Sequence, residues 1–288
     1  MSRYDIAIIG SGPAGLEAAI TAKVRNKNII VFGTKDLSRK MQVVEHPVLN
    51  YLGMPGLNGK EMVEVFSKQI TDLGIEVCDK KVTSVYAMGE YFMLQLDDND
   101  MVEASTVILA AGVAAGRPYP NEERFLGRGV SYCATCDAPL YRGKDVIVIG
   151  SSAVEEAEVE FLAEVCRHVT YIPLYPTMPK FQHDVTIVKE RPVEIIGENA
   201  AAGVRTDQGE YHADGVFILR EAQFPGQLVP GLTVEGSAVK VDLQMKTNLP
   251  GLFAAGDITG LPYQYMKAAG QGNVAALSAV DYLAKNKK

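Results

Sequence analysis

Cysteine and histidine are both scarce in this chain. Of its 288 residues, four are Cys (Cys78, Cys133, Cys136, Cys166) and four are His, and none of the His brackets the one close Cys pair. A structural zinc site takes four ligands, often as two Cys pairs, so donors are too few here and no metal is expected. Long apolar runs are absent too. None approaches the roughly 20 residues of a membrane helix, so no membrane is expected as a partner. The chain enters the strand-like run Asp5-Ile6-Ala7-Ile8-Ile9 at once, and no secretory signal is expected. Nor is there an excess of positive charge. Lys and Arg number 28 against 35 Asp and Glu, a formal net charge of −7, which argues against nucleic acid as a partner because phosphates call for a basic face. Sparse cysteine without an export signal points to the cytoplasm, where a Cys-x-x-Cys pair is catalytic more often than structural. What remains is ordinary for a soluble globular protein, 47% hydrophobic and 22% charged, and long enough for two domains with cores.

The close pair lies in Ser131-Tyr132-Cys133-Ala134-Thr135-Cys136-Asp137. Two thiols at this spacing can close and open a small disulfide ring with little backbone movement. At a helix N-terminus the dipole favours the reactive thiolate. Asp137 can move the proton that each thiol–disulfide step gains or loses. Zinc binding and an inert pair are the bland alternatives, and a redox dithiol is the favoured reading.

Around this pair the chain repeats one pattern twice. Residues 5–9 form a continuous apolar run suited to a buried parallel strand. Gly10-Ser11-Gly12-Pro13-Ala14-Gly15 follows, then helical spacing from Leu16 to Arg25 and a second strand from Asn28 to Phe32. A strand, a Gly-x-Gly-x-x-Gly turn, a helix and a strand within about thirty residues predict dinucleotide binding. The first Gly permits the tight turn, the second admits a pyrophosphate, the third lets helix and strand pack, and the phosphates meet the helix N-terminus. Residues 35–60 read as irregular. A helix is predicted over Glu61–Leu73, with strands at Ile75–Cys78, Val82–Met88, Tyr91–Leu96 and Met101–Leu109, and a linker over 112–120.

The second copy runs from the strand Asp145–Ile149 through Gly150-Ser151-Ser152-Ala153-Val154-Glu155, a helix to about Val165 and a strand at His168–Ile172. Ser152 stands at the close-approach glycine and Glu155 at the packing glycine, where a carboxylate opposes pyrophosphate by like charge. A 2′-phosphate site wants Arg after the second strand. The chain reads Pro173-Leu174-Tyr175-Pro176-Thr177-Met178-Pro179 there, and the first basic residue is Lys180. NADPH is therefore not expected to bind. Short strands follow at Asp184–Lys189, Val193–Ile196, Gly203–Thr206, Glu210–His212 and Gly215–Leu219. The strand Leu252–Asp257, a segment from Tyr263 to Gly270 and a helix from Asn273 to about Ala284 complete the reading.

Four landmarks in this order, Gly10–Gly15, Ala110-Ala111-Gly112, Cys133-Ala134-Thr135-Cys136-Asp137 and Phe253-Ala254-Ala255-Gly256-Asp257, resemble the low-molecular-weight bacterial thioredoxin reductases over nearly the whole chain. The resemblance implies an α/β protein of two Rossmann-like, three-layer ββα domains. A discontinuous FAD domain would span 1–112 plus 243–288. The inserted 113–242 would be a degenerate pyridine-nucleotide-type domain carrying the Cys pair. It also implies a homodimer. Carried over by position, Gly10, Ser11, Gly12, Pro13, Ala14 and Gly15 match the FAD pyrophosphate turn. Phe32 and Gly33 match the adenosine side, Asn50 the flavin side, and Val82 the adenine contact. Gly112 and Gly256 belong to the landmarks that carry the resemblance and are implied to bind the cofactor, Asp257 matches the ribityl–phosphate contact, and Gln264, Tyr265 and Met266 match the helix start facing the flavin. Cys136 takes the flavin-proximal role, Cys133 the partner-facing role and Asp137 the acid/base role.

The departures sit in the nicotinamide site. The second glycine motif is shortened, the His-Arg-Arg stretch is missing around Ile172–Lys180, and the Arg-Gln pair near the C-terminus is Tyr263-Gln264. Tyr263 or Tyr265 either stacks on the flavin or is simply packed. This combination looks like the ferredoxin-dependent flavin thioredoxin reductases, or the related deeply rooted branch with no settled donor. A plant-type ferredoxin near −400 mV and a thioredoxin near −270 mV leave roughly 130 mV, about 6 kcal/mol downhill for two electrons. FAD would convert one-electron donations into a two-electron delivery. Residues 113–242 hold 12 Lys and Arg against 19 Asp and Glu, and the remainder 16 of each. An acidic ferredoxin therefore suits the neutral domain, with Lys23, Arg25, Lys27, Lys35, Arg39 and Lys40, better than the acidic insert; scattered surface lysines account for these residues equally well. The rivals are NAD(P)H use through an unusual site, and a flavin redox sensor without turnover. The disulfide must face first the flavin and then thioredoxin, so the insert is expected to rotate about linkers near 112–118 and 240–246.

Overall fold

The computed structural model of the chain describes residues 3–42, 44–113, 118–132, 134–220 and 224–286, and the backbone alone at 39, 40, 123, 135 and 136. The chain divides into two units, Met1–Val113 with Phe224–Lys288, and Ala114–Gln223. Both repeat the predicted Rossmann-like three-layer plan.

In the first unit the strands Val77–Cys78, Ile29–Phe32, Tyr4–Ile9, Met101–Leu109 and Leu252–Ala254 pair in parallel. The N-terminal half of Met101–Leu109 also pairs antiparallel with Phe92–Leu96, which pairs with Val82–Ala87. Strand side chains alternate between faces, and the first strand shows the result. Ile6 and Ile8 bury against the helices Pro13–Val24, Gly59–Asp72 and Tyr265–Asn286, and Ala7 and Ile9 against the antiparallel arm. Such a strand has no solvent face, which explains its unbroken apolar run. Asn58 caps the second of these helices, taking the Glu61 N–H at 3.0 Å while Glu61 takes that of Asn58 at 2.8 Å.

The second unit carries the parallel order Val185–Ile187, His168–Pro173, Asp145–Gly150, Gly215–Leu219, Val130–Ser131. Its antiparallel arm is Pro192–Gly197, Ala201–Thr206 and Glu210–His212. Ile147, Ile149, Val216 and Ile218 pack on that arm, and Val146, Val148, Phe217 and Leu219 on the helix side with Ala134, Ala138, Val159 and Leu162. Each such Val, Ile, Leu or Phe side chain, fully buried, contributes about 1.5–3 kcal/mol.

Two readings of the sequence need correction. The return to the first unit comes at Phe224, not 243. Leu228, Val229, Leu232 and Val239 share the core of Phe92, Val107 and Leu109, so the segment after Pro225 belongs to the first unit by its apolar side chains. The close of the chain is one helix of 22 residues, Tyr265–Asn286, rather than two pieces split at its glycines. Gly272 is an interior residue there because a Cβ would stand 2.1 Å from the carbonyl oxygen of Ala14. Contact between helices, not chain reversal, requires that glycine.

The second unit also buries an ion pair. Arg220 (7% exposed) donates to Glu122 (0%) from both Nη atoms, at 2.5 and 2.8 Å, and Glu122 accepts the Tyr119 N–H at 2.7 Å. Removing one partner of such a pair leaves an uncompensated charge. Arg220→Ala should destabilise this unit by about 3–5 kcal/mol, read as a fall in its unfolding midpoint, whereas Lys68→Ala in the exposed Lys68–Asp72 pair should cost below about 1 kcal/mol.

Candidate functional site

The parallel strands of the first unit end in register, with Ile9 opposite Phe32 and Leu109, and Leu109 opposite Ala254. Ligands of open α/β sheets bind outside these carboxyl ends. Gly10 turns the chain there at φ 125, where a Cβ would meet the Ala110 carbonyl oxygen at 2.2 Å. Gly15 packs the helix onto the turn, a Cβ falling 1.8 Å from the Gly10 carbonyl oxygen. Gly12 differs. It is the N-cap of the helix, makes no side-chain cap, and a Cβ there would meet only Ser38 Oγ at 4.0 Å. The first turn of a helix carries unpaired N–H groups and the positive end of its dipole. Open space beside them, with no acidic residue in that turn, fits a pyrophosphate.

The other expected residues gather around this turn unevenly. Gly33 abuts it, a Cβ falling 2.5 Å from Ser11 Oγ, and Ser11 donates to the Thr34 carbonyl at 3.3 Å. Phe32 and Val82 lie in one core. Gly112, at φ 75, comes two residues after Ala110, which follows the strand Met101–Leu109 and crowds Gly10. Gly256, at φ 85, approaches the turn closely, since a Cβ there would stand 2.8 Å from Ala14 Cβ. Asp257 follows in a 3-10 turn, and its charge, after burial, helps hold the Tyr265 hydroxyl above its usual range. Asn50 and Gln264, far apart in sequence, meet through Asn50 Nδ2 donating to Gln264 Oε1 at 2.8 Å. Tyr265 is half-buried against the core, whereas Tyr263 is 47% and Met266 38% exposed.

Two residues were missed. Lys267 Nζ donates to the carbonyls of Gly256 at 3.0 Å and Gly260 at 2.7 Å, and Gln271 Oε1 accepts the Gly256 N–H at 2.9 Å. Burial lowers the Lys267 ammonium pKa, against the opposing pull of Asp257. One helical turn apart, these side chains hold the Gly256–Gly260 loop. Extending the last helix back to Tyr265 would have exposed the spacing. Of the basic residues named for an acidic partner, four have described side chains, and they do not gather at the turn. Lys23, Arg25 and Lys27 lie at the far end of a 12-residue helix, about 18 Å from its start at 1.5 Å per residue, while Lys35 follows the second strand.

The corresponding turn of the second unit is occupied by its own side chains. Glu155, 4% exposed, accepts the Ser152 N–H at 2.6 Å and the Ser151 hydroxyl at 2.9 Å. Tyr175 donates to Glu156 at 2.6 Å and Tyr171 to Tyr175 at 3.2 Å. Burial pushes the Tyr171 hydroxyl up to about 12, and Tyr175 rises through burial and its bond to Glu156. Of the dithiol segment, Cys133 and the Cys136 side chain lie outside the described residues. The backbone of Ala134–Asp137 is helical, Asp137 is half-buried, and the Ala134 N–H donates to Glu158 Oε2 at 3.3 Å. Among the described residues no cluster of three or more metal-ligating side chains occurs, and no helix is long and apolar enough to cross a membrane.

A model of the pyridine nucleotide-disulphide oxidoreductase family matches residues 4–272. The chain is 30% identical to a thioredoxin reductase of Aquifex aeolicus over 99% of its own length and 95% of that protein. Two crystal structures of a ferredoxin-flavin thioredoxin reductase from Clostridium acetobutylicum superpose with TM-scores of 0.93 and 0.88, at 47% and 50% identity, each covering 99% of both chains.

Two substitutions separate binding from folding. Gly12→Ala fills open space, so the flavin-free protein should keep its unfolding midpoint while FAD affinity falls about tenfold or more, one lost hydrogen bond to a charged group. Lys267→Met should lower FAD affinity by about tenfold through the loosened Gly256–Gly260 loop. Titrating FAD into the deflavinated variants measures both.

Proposed function

Because the chain belongs to the pyridine nucleotide-disulphide oxidoreductase family, and within it is a flavoprotein disulfide oxidoreductase of the thioredoxin reductase type, we propose that it reduces thioredoxin through Cys133 and Cys136 with electrons from reduced ferredoxin. The observation that carries this reading is the contrast between the two turns. The first is open at Gly12. In the second, the amide and hydroxyl that a nucleotide phosphate would use are bonded to Glu155. The high identity to the two ferredoxin-flavin reductase structures supports the donor.

On this reading Gly10–Gly15, Phe32, Gly33 and Val82 hold the adenine half of FAD. Asn50, Gly112, Gly256, Asp257, Gln264, Tyr265 and Met266 hold the flavin half. When bound, FAD supplies the conversion of one-electron donations into a two-electron delivery. The chain's own residues do the rest. Cys133, as thiolate, attacks the thioredoxin disulfide and one thioredoxin sulfur leaves, taking a proton. Cys136 then attacks the Cys133 sulfur of the mixed disulfide and displaces the second thioredoxin sulfur, which takes the other proton. Two electrons and two protons pass to thioredoxin, the Cys133–Cys136 disulfide re-forms, and Asp137 moves the proton of the Cys136 thiol. A homodimer acting in the cytoplasm completes the proposal; the exposed Leu49, Leu52 and Leu261 favour a covered surface on the first unit.

Anaerobic mixing with excess NADPH or NADH should leave the flavin absorbance unchanged over seconds, while reduced ferredoxin should bleach it and sustain thioredoxin reduction. Rapid, complete bleaching by NADPH would overturn the donor assignment. Cys136→Ser should retain FAD and lose thioredoxin reduction by at least about a thousandfold, as loss of a covalent group acting in concert with a partner does. Full turnover in that variant would remove the dithiol from the mechanism.

A further inference from the structure

Gly12 leaves the first turn open on one side, and a single side chain faces that opening. Among the described residues, the one atom outside its own helix that a Cβ at Gly12 would reach is Ser38 Oγ, at 4.0 Å. Ser38 is half-buried, and among the described residues its hydroxyl has no hydrogen-bond partner. Its carbonyl is engaged, accepting the N–H groups of Met41 at 3.0 Å and Gln42 at 3.2 Å. A serine O–H rotates to suit its acceptor, and a bond from it to a phosphate oxygen is charge-assisted. We propose that Ser38 is a further cofactor-binding residue, a side-chain donor to the FAD pyrophosphate added to the N–H groups of the helix start. This rests on the reading of Gly10–Gly15 as the FAD turn.

The loop that carries Ser38 is tied to the turn it faces. It leaves the strand Ile29–Phe32 at Gly33, which abuts Ser11, and buried Ser11 donates to the Thr34 carbonyl at 3.3 Å. Thr34 Oγ1 donates to the Leu37 carbonyl at 2.5 Å, and the Leu37 N–H donates to the Thr34 carbonyl at 2.9 Å. The Gln42 side chain donates to the Asp36 carbonyl from the other end. Leu37 stands at φ 58, a left-handed angle that a bulky residue seldom adopts, and its side chain is buried in the core that holds Ala14 and Met41. Such a backbone angle persists only where the surroundings over-determine it. Burial and the Thr34 bonds do so here, and the residue they orient is the next one, Ser38. Lys35 and Asp36, the charges beside it, are both exposed and offset each other. The bland role for Ser38 is to cap the short helix Arg39–Gln42, which would make its loss a loss of stability with or without a cofactor.

The test titrates FAD into the deflavinated full-length protein, as wild type, Ser38→Ala, Ser38→Thr and Ser38→Asp, following flavin fluorescence, with the unfolding midpoint of each measured without flavin. Ser38→Ala should weaken FAD binding about tenfold, one lost hydrogen bond to a charged group, and leave the flavin-free midpoint unchanged. Ser38→Thr keeps the hydroxyl and should stay within about threefold of wild type. Ser38→Asp should bind FAD at least about tenfold more weakly than Ser38→Ala, because its carboxylate repels the pyrophosphate. Competition by ADP, which carries the pyrophosphate without the flavin, should follow the same order. Ser38→Ala binding FAD within about twofold of wild type overturns the proposal. So does a Ser38→Asp protein that binds no more weakly than Ser38→Ala, or a Ser38→Ala midpoint that falls without flavin, the mark of a helix cap. A wild type that takes up no FAD overturns the reading of the turn and the proposal with it. The order of affinities decides the role of Ser38, and ferredoxin-driven thioredoxin reduction by the FAD-saturated wild type decides the proposed function, so neither failure is mistaken for the other.

Discussion

The first unit depends on how closely backbone approaches backbone around Ala14. Gly272 brings the last helix to within 2.1 Å, measured from a hypothetical Cβ, of the Ala14 carbonyl, and Gly256 brings the Gly-Asp turn to 2.8 Å from the Ala14 methyl group. Gly10 and Gly15 remove the side chains that would hold strand and helix apart on the remaining sides. A methyl group at any of these places would have to displace main chain, which a close-packed interior resists. The helix start is thereby fixed by segments separated by more than two hundred residues in sequence. A discontinuous domain follows from this: the turn is assembled only when the chain that leaves after Val113 returns at Phe224.

The second unit has the same layers and a different turn, and the difference is electrostatic before it is steric. In the first turn the N–H groups at the helix start have neither a side-chain cap nor an acidic neighbour. In the second, Ser152 and Glu155 form a capping box, which satisfies the orphan donors from within the chain. An anion and an internal carboxylate compete for the same groups. The internal one is present at every concentration and repels its rival. The acidity of the unit agrees: Ala114–Gln223 carries 11 Lys and Arg against 17 Asp and Glu, and the rest 17 against 18. Moving the boundary from 242 to 223 leaves the asymmetry intact.

Much of this was legible in the residues because it rests on local rules. The buried strands show as unbroken apolar runs, the Gly-x-Gly-x-x-Gly turn sits between a strand and a helix, and Ser152 and Glu155 stand at the positions where the first turn has glycine. What was missed depended on contacts distant in sequence. Nothing local tells a helical glycine that meets Ala14 from one that ends a helix, so Tyr265–Asn286 was divided. Nothing in Leu228, Val229 and Leu232 says which of two cores they enter. Lys267 and Gln271 became visible only once the helix ran continuously past them, and Ser38 only once its loop lay beside Gly12.

A nucleotide site can be lost from such a unit without loss of the unit. The parallel strands of Ala114–Gln223 bury Val146, Ile147, Val148 and Ile149 at about 1% exposure or less, and neither core of that unit contains a residue from 151–155. Packing therefore imposes little on the turn. Its one obligation is to satisfy the N–H groups at the start of the helix, and an N-cap with its box contributes about 1 kcal/mol on its own. A phosphate bound from solution adds stability only in proportion to its concentration over its dissociation constant, so replacing it by a carboxylate in the chain removes a dependence without removing a support. The Gly10–Gly15 turn has no such freedom. Gly10 and Gly15 are required by contacts with the carbonyl oxygens of Ala110 and of Gly10 itself, and a side chain like that of Glu155 would have no room at Gly15.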